Sequence, residues 1–198
     1  MAVAGHTDDA VGARRGLASD DPAVRGTALG ALERLGALGD DDVAAALVDA
    51  DASVRRRAVT VAARHPAVDV HDALFDVDAR VIEVAAWAAG ERDAVADDVL
   101  VRLIDLATMA EADPLVRESS VASLGAIGDD RGLDAILTAT TDKPAVRRRA
   151  VLALAPFLDP DHPRATAVAV ALERALSDRD WQVRQAAEDL TPTDDETG

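Results

Sequence analysis

A single unit recurs six times along this chain, and its period dictates the architecture. Each copy places an acidic or turn residue before a valine, usually follows the valine with arginine, and then repeats small apolar residues at helical spacing. The valines are Val24, Val54, Val81, Val116, Val146 and Val183, separated by 30, 27, 35, 30 and 37 residues. A repeat of that length marks a stack of helical units, each unable to bury its apolar face alone.

Counted from each valine, the fourth residue on is Ala28, Ala58, Ala85, Ser120, Ala150 and Ala187. The seventh is Ala31, Val61, Ala88, Ser123, Ala153 and Leu190, and the eighth is Leu32, Ala62, Ala89, Leu124 and Leu154 in the first five copies. These offsets fall on one face of an α-helix, which predicts an amphipathic helix with a narrow seam of small residues in every copy. Such a seam lets neighbouring backbones come close, and it buries too little area to hold an isolated helix.

The entry to each helix is as regular as its seam. Asp21, Asp51, Asp78, Asp113 and Asp180 stand three residues before the valine, with Lys143 in the fifth copy. Aspartate there caps a helix by accepting a backbone N–H, and Pro22, Pro114 and Pro144 occupy the first turn, where proline is tolerated. Arginine follows the valine as Arg25, Arg55, Arg117, Arg147 and Arg184, with Ile82 replacing it in the third copy. The four-residue Asp-to-Arg spacing predicts a structural ladder of ion pairs, within one helix or bridging to the next repeat.

Asp21–Gly36 (DPAVRGTALGALERLG) and Asp113–Gly128 (DPLVRESSVASLGAIG) resemble the HEAT-like repeat, in the short form known from phycobilin lyase subunits. The resemblance implies an all-α superhelical solenoid over residues 1–190, with repeats near 7–37, 38–65, 66–92, 93–128, 129–158 and 159–190 and a polar tail at 191–198. The third helix pair is expected at 68–77 and 79–91. Such folds serve many tasks, so the resemblance speaks for architecture more than activity.

The formal net charge is −16, divided as −9 over residues 1–99 and −7 over 100–198. Aspartate outnumbers glutamate 29 to 8 and arginine outnumbers lysine 20 to 1, a profile that resembles proteins of salt-in halophilic archaea. Molar salt cuts the Debye length to roughly 3 Å and screens self-repulsion, so the acidity reads as a solvent adaptation. Cysteine is absent, which rules out disulfides and thiolate metal sites. With neither a signal peptide nor a membrane-length apolar run, a soluble cytoplasmic protein is expected.

Solenoids of this kind use the second helices of their repeats as a concave binding surface. The positions opposite the seam read Gly26, Arg56, Glu83, Glu118, Arg148 and Gln185 in one row, and Gly30, Thr60, Trp87, Ala122, Leu152 and Asp189 in the other. Trp87, with Arg56, Arg148, Leu152, Ala122, Glu83 and Glu118, is therefore the candidate protein-binding set. The triplets Arg55–Arg57 and Arg147–Arg149 read first as neutralising nearby aspartates, and alternatively as a grip for an acidic partner or phosphate. Trp181 is expected to seal the end of the stack.

Catalytic chemistry finds little support. His6, His65, His71 and His162 show no metal-ligand spacing, no Gly-rich phosphate loop or nucleophile elbow is present, and no cofactor is expected. The leading reading is a non-enzymatic scaffold or adaptor for a protein or peptide. A phycobilin-lyase-like accessory subunit rests only on the repeat's resemblance, and 2% aromatic content argues against a bilin pocket. Nucleic-acid binding is opposed by the even acidity, with the arginine triplets its one support.

Overall fold

The computed structural model describes residues 4–191. These form eleven α-helices and no strand: α1 (Ala4–Gly16), α2 (Pro22–Arg34), α3 (Asp40–Leu47), α4 (Ala52–Ala62), α5 (Ala79–Gly90), α6 (Asp97–Thr108), α7 (Pro114–Ile127), α8 (Leu133–Ala139), α9 (Pro144–Ala153), α10 (Ala165–Leu176) and α11 (Trp181–Glu188). Short 3-10 turns lie at Asp72–Phe75, Asp130–Gly132 and Ala155–Phe157. The architecture is an all-α solenoid of helix pairs. The chain divides into two compact units, Met1–Arg92 and Asp93–Gly198.

Each unit has two layers. In the first, α2, α4 and α5 pack in a row, with α1 against α2, α3 against α4 and the Asp72–Phe75 turn against α5. In the second, α7, α9 and α11 make the row, backed by α6, α8 and α10. The repeated valines point into these layers: Val54, Val81, Val116, Val146 and Val183 are buried, whereas Val24 is 43% exposed.

The aspartates before the valines act as N-caps. Asp21, Asp51, Asp78, Asp113 and Asp180 accept the backbone N–H two residues on, at 2.8, 2.8, 2.8, 2.9 and 2.9 Å. Exit from α7 is set by Gly128, whose φ of 67° carries its N–H back to the Leu124 carbonyl. That left-handed turn favours glycine.

One predicted helix is absent. Where residues 68–77 are expected to form the first helix of the third pair, the chain makes only the Asp72–Phe75 turn. Valine and aspartate alternate through this stretch, both poor helix formers, and the Asp69 side chain accepts the His71 N–H at 2.8 Å. Val68, Val70 and Leu74 still bury against the layer, so apolar packing survives without the helix. The fourth pair's first helix spans Asp97–Thr108.

The seam is tightest between α7 and α9. A Cβ built on Gly125 would lie 2.6 Å from both Cα and Cβ of Ala153, so the two backbones meet without a side chain between them. Nearby, Ser120 replaces the alanine found at the same register in every other copy. Its hydroxyl is fully buried and has no hydrogen-bond partner. Leaving a buried hydroxyl unpaired costs about 1–3 kcal/mol. Ser120→Ala is therefore expected to stabilise the protein by about 1 kcal/mol in urea unfolding, and a destabilising result would mean that the hydroxyl does have a partner in solution.

Candidate protein-binding face

The arginines after the valines bridge between repeats, and they do so through aspartates other than the caps. Arg25 Nε and Nη2 donate to Asp49 at 2.7 and 2.7 Å, and Arg55 to Asp76 at 2.6 and 2.8 Å. Arg117 holds Asp142 at 2.6 and 3.0 Å, and Arg147 holds Asp178 at 2.8 and 2.8 Å. In each, Nη1 donates to backbone carbonyls of the arginine's own inter-helix loop, such as Ser19 for Arg25 and Asp142 for Arg147. Arg184, in the last repeat, keeps only the loop contact among the described residues, to the Asp178 carbonyl at 2.7 Å.

The Asp-to-Arg pairing at four-residue spacing is thus not adopted. Asp21, Asp51, Asp113 and Asp180 already have their carboxylates turned to the helix N-termini, and a second aspartate takes the guanidinium. Asp49, Asp76 and Asp178 each sit two residues before the next cap and also accept its N–H, at 2.8 Å in all three cases. The Arg partner holds these three carboxyls below the usual carboxylate range. For Asp142, burial pushes the carboxyl up, but Arg117 and the Lys143 backbone N–H outweigh it and the net shift is downward. A D-x-D signature at 49–51, 76–78 and 178–180 was the available signal for this second aspartate.

Apart from Gly30, which is buried, the residues of the rows opposite the seam are half-buried or exposed. In the first unit, Arg56 and Arg57 are exposed on α4, Glu83 is half-buried on α5, and Trp87 is 40% exposed. Arg57 lies across α2 at Gly30, where a Cβ would fall 2.0 Å from its Nη2. In the second unit, Glu118 and Ala122 on α7 and Arg148 and Leu152 on α9 are all half-buried. Trp87, Arg56 and Glu83 belong to the first unit, and Glu118, Ala122, Arg148 and Leu152 to the second.

Trp181 departs from expectation. Instead of sealing an end, it is 64% exposed and lines a groove of about 220 Å³ with Arg148, Leu152, Gln182, Gln185 and Asp189. It therefore shares its groove with row residues of the second unit. Gln185 and Asp189 belong to those rows, and Gln185 Nε2 donates to Asp189 at 2.9 Å.

His65 and His162 tie separate segments together through carboxylates. His65, half-buried, places Nδ1 2.6 Å from Asp40 and Nε2 3.0 Å from Glu33, and these two carboxylates raise its pKa. His162 meets Asp130 at 3.1 Å, takes the Arg164 N–H on its other nitrogen and stands edge-on to Phe157. His6 lies outside the residues whose side chains are described. Among the described residues no group of three His, Asp or Glu is placed to hold a metal, and no helix is long and apolar enough to cross a membrane.

Residues 103–190 match the family model described as HEAT repeats. Two solved structures share the fold. One is a crystal structure of an engineered protein from the Northeast Structural Genomics Consortium, with a TM-score of 0.63 at 18% identity over 91% of this chain and 94% of that one. The other is a designed armadillo repeat protein in complex with the peptide (KR)4, with a TM-score of 0.66 at 18% identity over 90% of this chain and 96% of that one. No curated protein matches.

Proposed function

We propose that the chain is a non-enzymatic adaptor that binds a protein or peptide segment on the open face of its second helices, the face the sequence marks as concave. The observation that carries this reading is the pair of exposed tryptophans. In a chain whose helix seams are mostly alanine and valine, Trp87 is exposed on α5 in the first unit, and Trp181 is exposed on α11 in the second, where it shares a groove with Arg148. Exposed tryptophan flanked by arginine is the residue chemistry of interface hot spots. The designed armadillo repeat protein that shares the fold holds a peptide, which supports the same use here.

The uniform acidity belongs, on this reading, to the solvent rather than to the partner. The short, lyase-type form of the repeat then describes the ancestry of the unit and carries no bilin chemistry.

The test is affinity capture from a lysate of the source cells at molar salt, with wild type beside a variant combining Trp87→Ala, Arg56→Glu and Arg148→Glu. Partners captured by wild type and lost from the variant are the expected result. Partners retained equally by both would move the binding surface off this face.

A further inference from the structure

We propose that the groove between α9 and α11 is built for an acidic segment, one that presents a carboxylate to Arg148 and an apolar side chain to Trp181 and Leu152. This rests on the peptide-binding reading above and adds the chemistry of the partner.

The three consecutive arginines of α9 have three different fates. Arg147 is bound bidentately to Asp178 at 2.8 Å. Arg149 Nη2 stands 3.7 Å from Glu118. Arg148 lines the groove, half-buried, and no carboxylate among the described residues lies within ion-pair distance of it. Arg92 and Arg184 are also half-buried without a carboxylate, but both donate to backbone carbonyls, whereas Arg148 makes no such bond among the described residues. A charge taken partly out of water is stabilised by an opposite charge at contact, and the protein itself leaves that place open.

The rest of the groove completes the specificity. Asp189, its one carboxylate, accepts from Gln185 and forms no ion pair with Arg148. Leu152 and Trp181 offer an apolar floor and an aromatic face next to Arg148. In an extended chain, residues i and i+2 point the same way about 7 Å apart. An acidic residue and an apolar residue at that spacing therefore address both ends of the groove together. A lysine- or arginine-rich segment like the one held by the designed armadillo repeat protein would instead meet the like charge of Arg148. A contact ion pair in a half-buried groove is screened less than an exposed one, so the preference survives the salt that screens the acidic surface.

Trp181 supplies the readout. In a full-length Trp87→Phe background it is the sole tryptophan. Its emission is followed while adding an octapeptide of two Glu-Ser-Leu-Ser repeats, or counterparts with lysine or glutamine in place of glutamate. The glutamate peptide is expected to shift the emission and to bind at least tenfold tighter than the other two. Arg148→Glu is expected to abolish that advantage with the far-UV helical signal unchanged, and Arg148→Lys to keep part of it. Tighter binding of the lysine peptide, or equal binding of all three, overturns the acidic preference while leaving peptide binding in place. An Arg148→Glu variant that keeps the glutamate peptide's affinity overturns the groove as the site. No binding by any of the three overturns the inference, and the capture experiment then decides separately whether the face binds proteins at all.

Discussion

Arg147→Ala lowers the unfolding free energy by about 3 kcal/mol, three times what loss of a helix cap such as Asp113→Ala costs, about 1 kcal/mol. The difference lies in what each residue leaves behind. Removing Asp113 exposes one backbone N–H at a helix end that water reaches. Removing Arg147, itself 8% exposed, strands the Asp178 carboxylate, whose side chain is 14% exposed, and also frees the Asp142 carbonyl. Lysine cannot replace it, since one ammonium cannot hold both carboxylate oxygens and the loop carbonyl in a plane.

The same rung sets a pH signature. Asp178 titrates below its ordinary value because Arg147 hydrogen-bonds its charged form. Its contribution is therefore complete above the unfolded carboxylate value of roughly 3.9 and fades as pH falls through the lower folded value. Wild type should lose stability through that acid window, and Arg147→Ala should lose less of it. Urea unfolding of both proteins at pH 7 and pH 3 measures each effect. A loss under 1 kcal/mol at pH 7 would show the rungs to be ornamental surface pairs.

Gly125→Ala costs about 2 kcal/mol, although alanine is the better helix former by about 1 kcal/mol. The added methyl would sit 2.6 Å from backbone and Cβ atoms of Ala153, and also 3.1 Å from its carbonyl oxygen. None of these is the end of a flexible side chain, so α7 and α9 must move apart. Gly26 supplies the control. It too lies inside a helix, but nothing stands within 4 Å of a Cβ built there, so Gly26→Ala is expected to stabilise by about 0.5–1 kcal/mol. Opposite signs for one substitution at two helical glycines, read from thermal unfolding, isolate close helix approach as the cause. A neutral Gly125→Ala would mean that the α7–α9 contact is looser than described.

Much of this was legible from the chain. The repeated valine, the small-residue seam and the capping aspartates follow from period and local chemistry, and the caps appear at Asp21, Asp51, Asp78, Asp113 and Asp180 as the pattern requires. Local chemistry did not reveal the ladder's partners, because Arg25 and Asp49 are joined only once two repeats stack. The missing helix near Val68 was hidden for a related reason: its apolar residues satisfy the layer in either conformation, and weak helix propensity decides. Trp181 was misjudged because terminal position suggested a lid. It lines the groove beside Arg148 and Leu152 of α9 instead, a placement set by how α9 and α11 stack and not by order in the chain.

Each rung of the ladder draws its donor from one repeat and its acceptor from the next, so an interior repeat carries one of each. Copying or deleting such a repeat leaves every remaining guanidinium opposite a carboxylate. The ends lack that property. Ser19 stands where an incoming arginine would need Asp, and Ile82 stands where the first unit's last repeat would need a donor. For the ladder alone, interior repeats of a unit are thus interchangeable: a duplicated repeat would bring both the donor and the acceptor of its rungs with it.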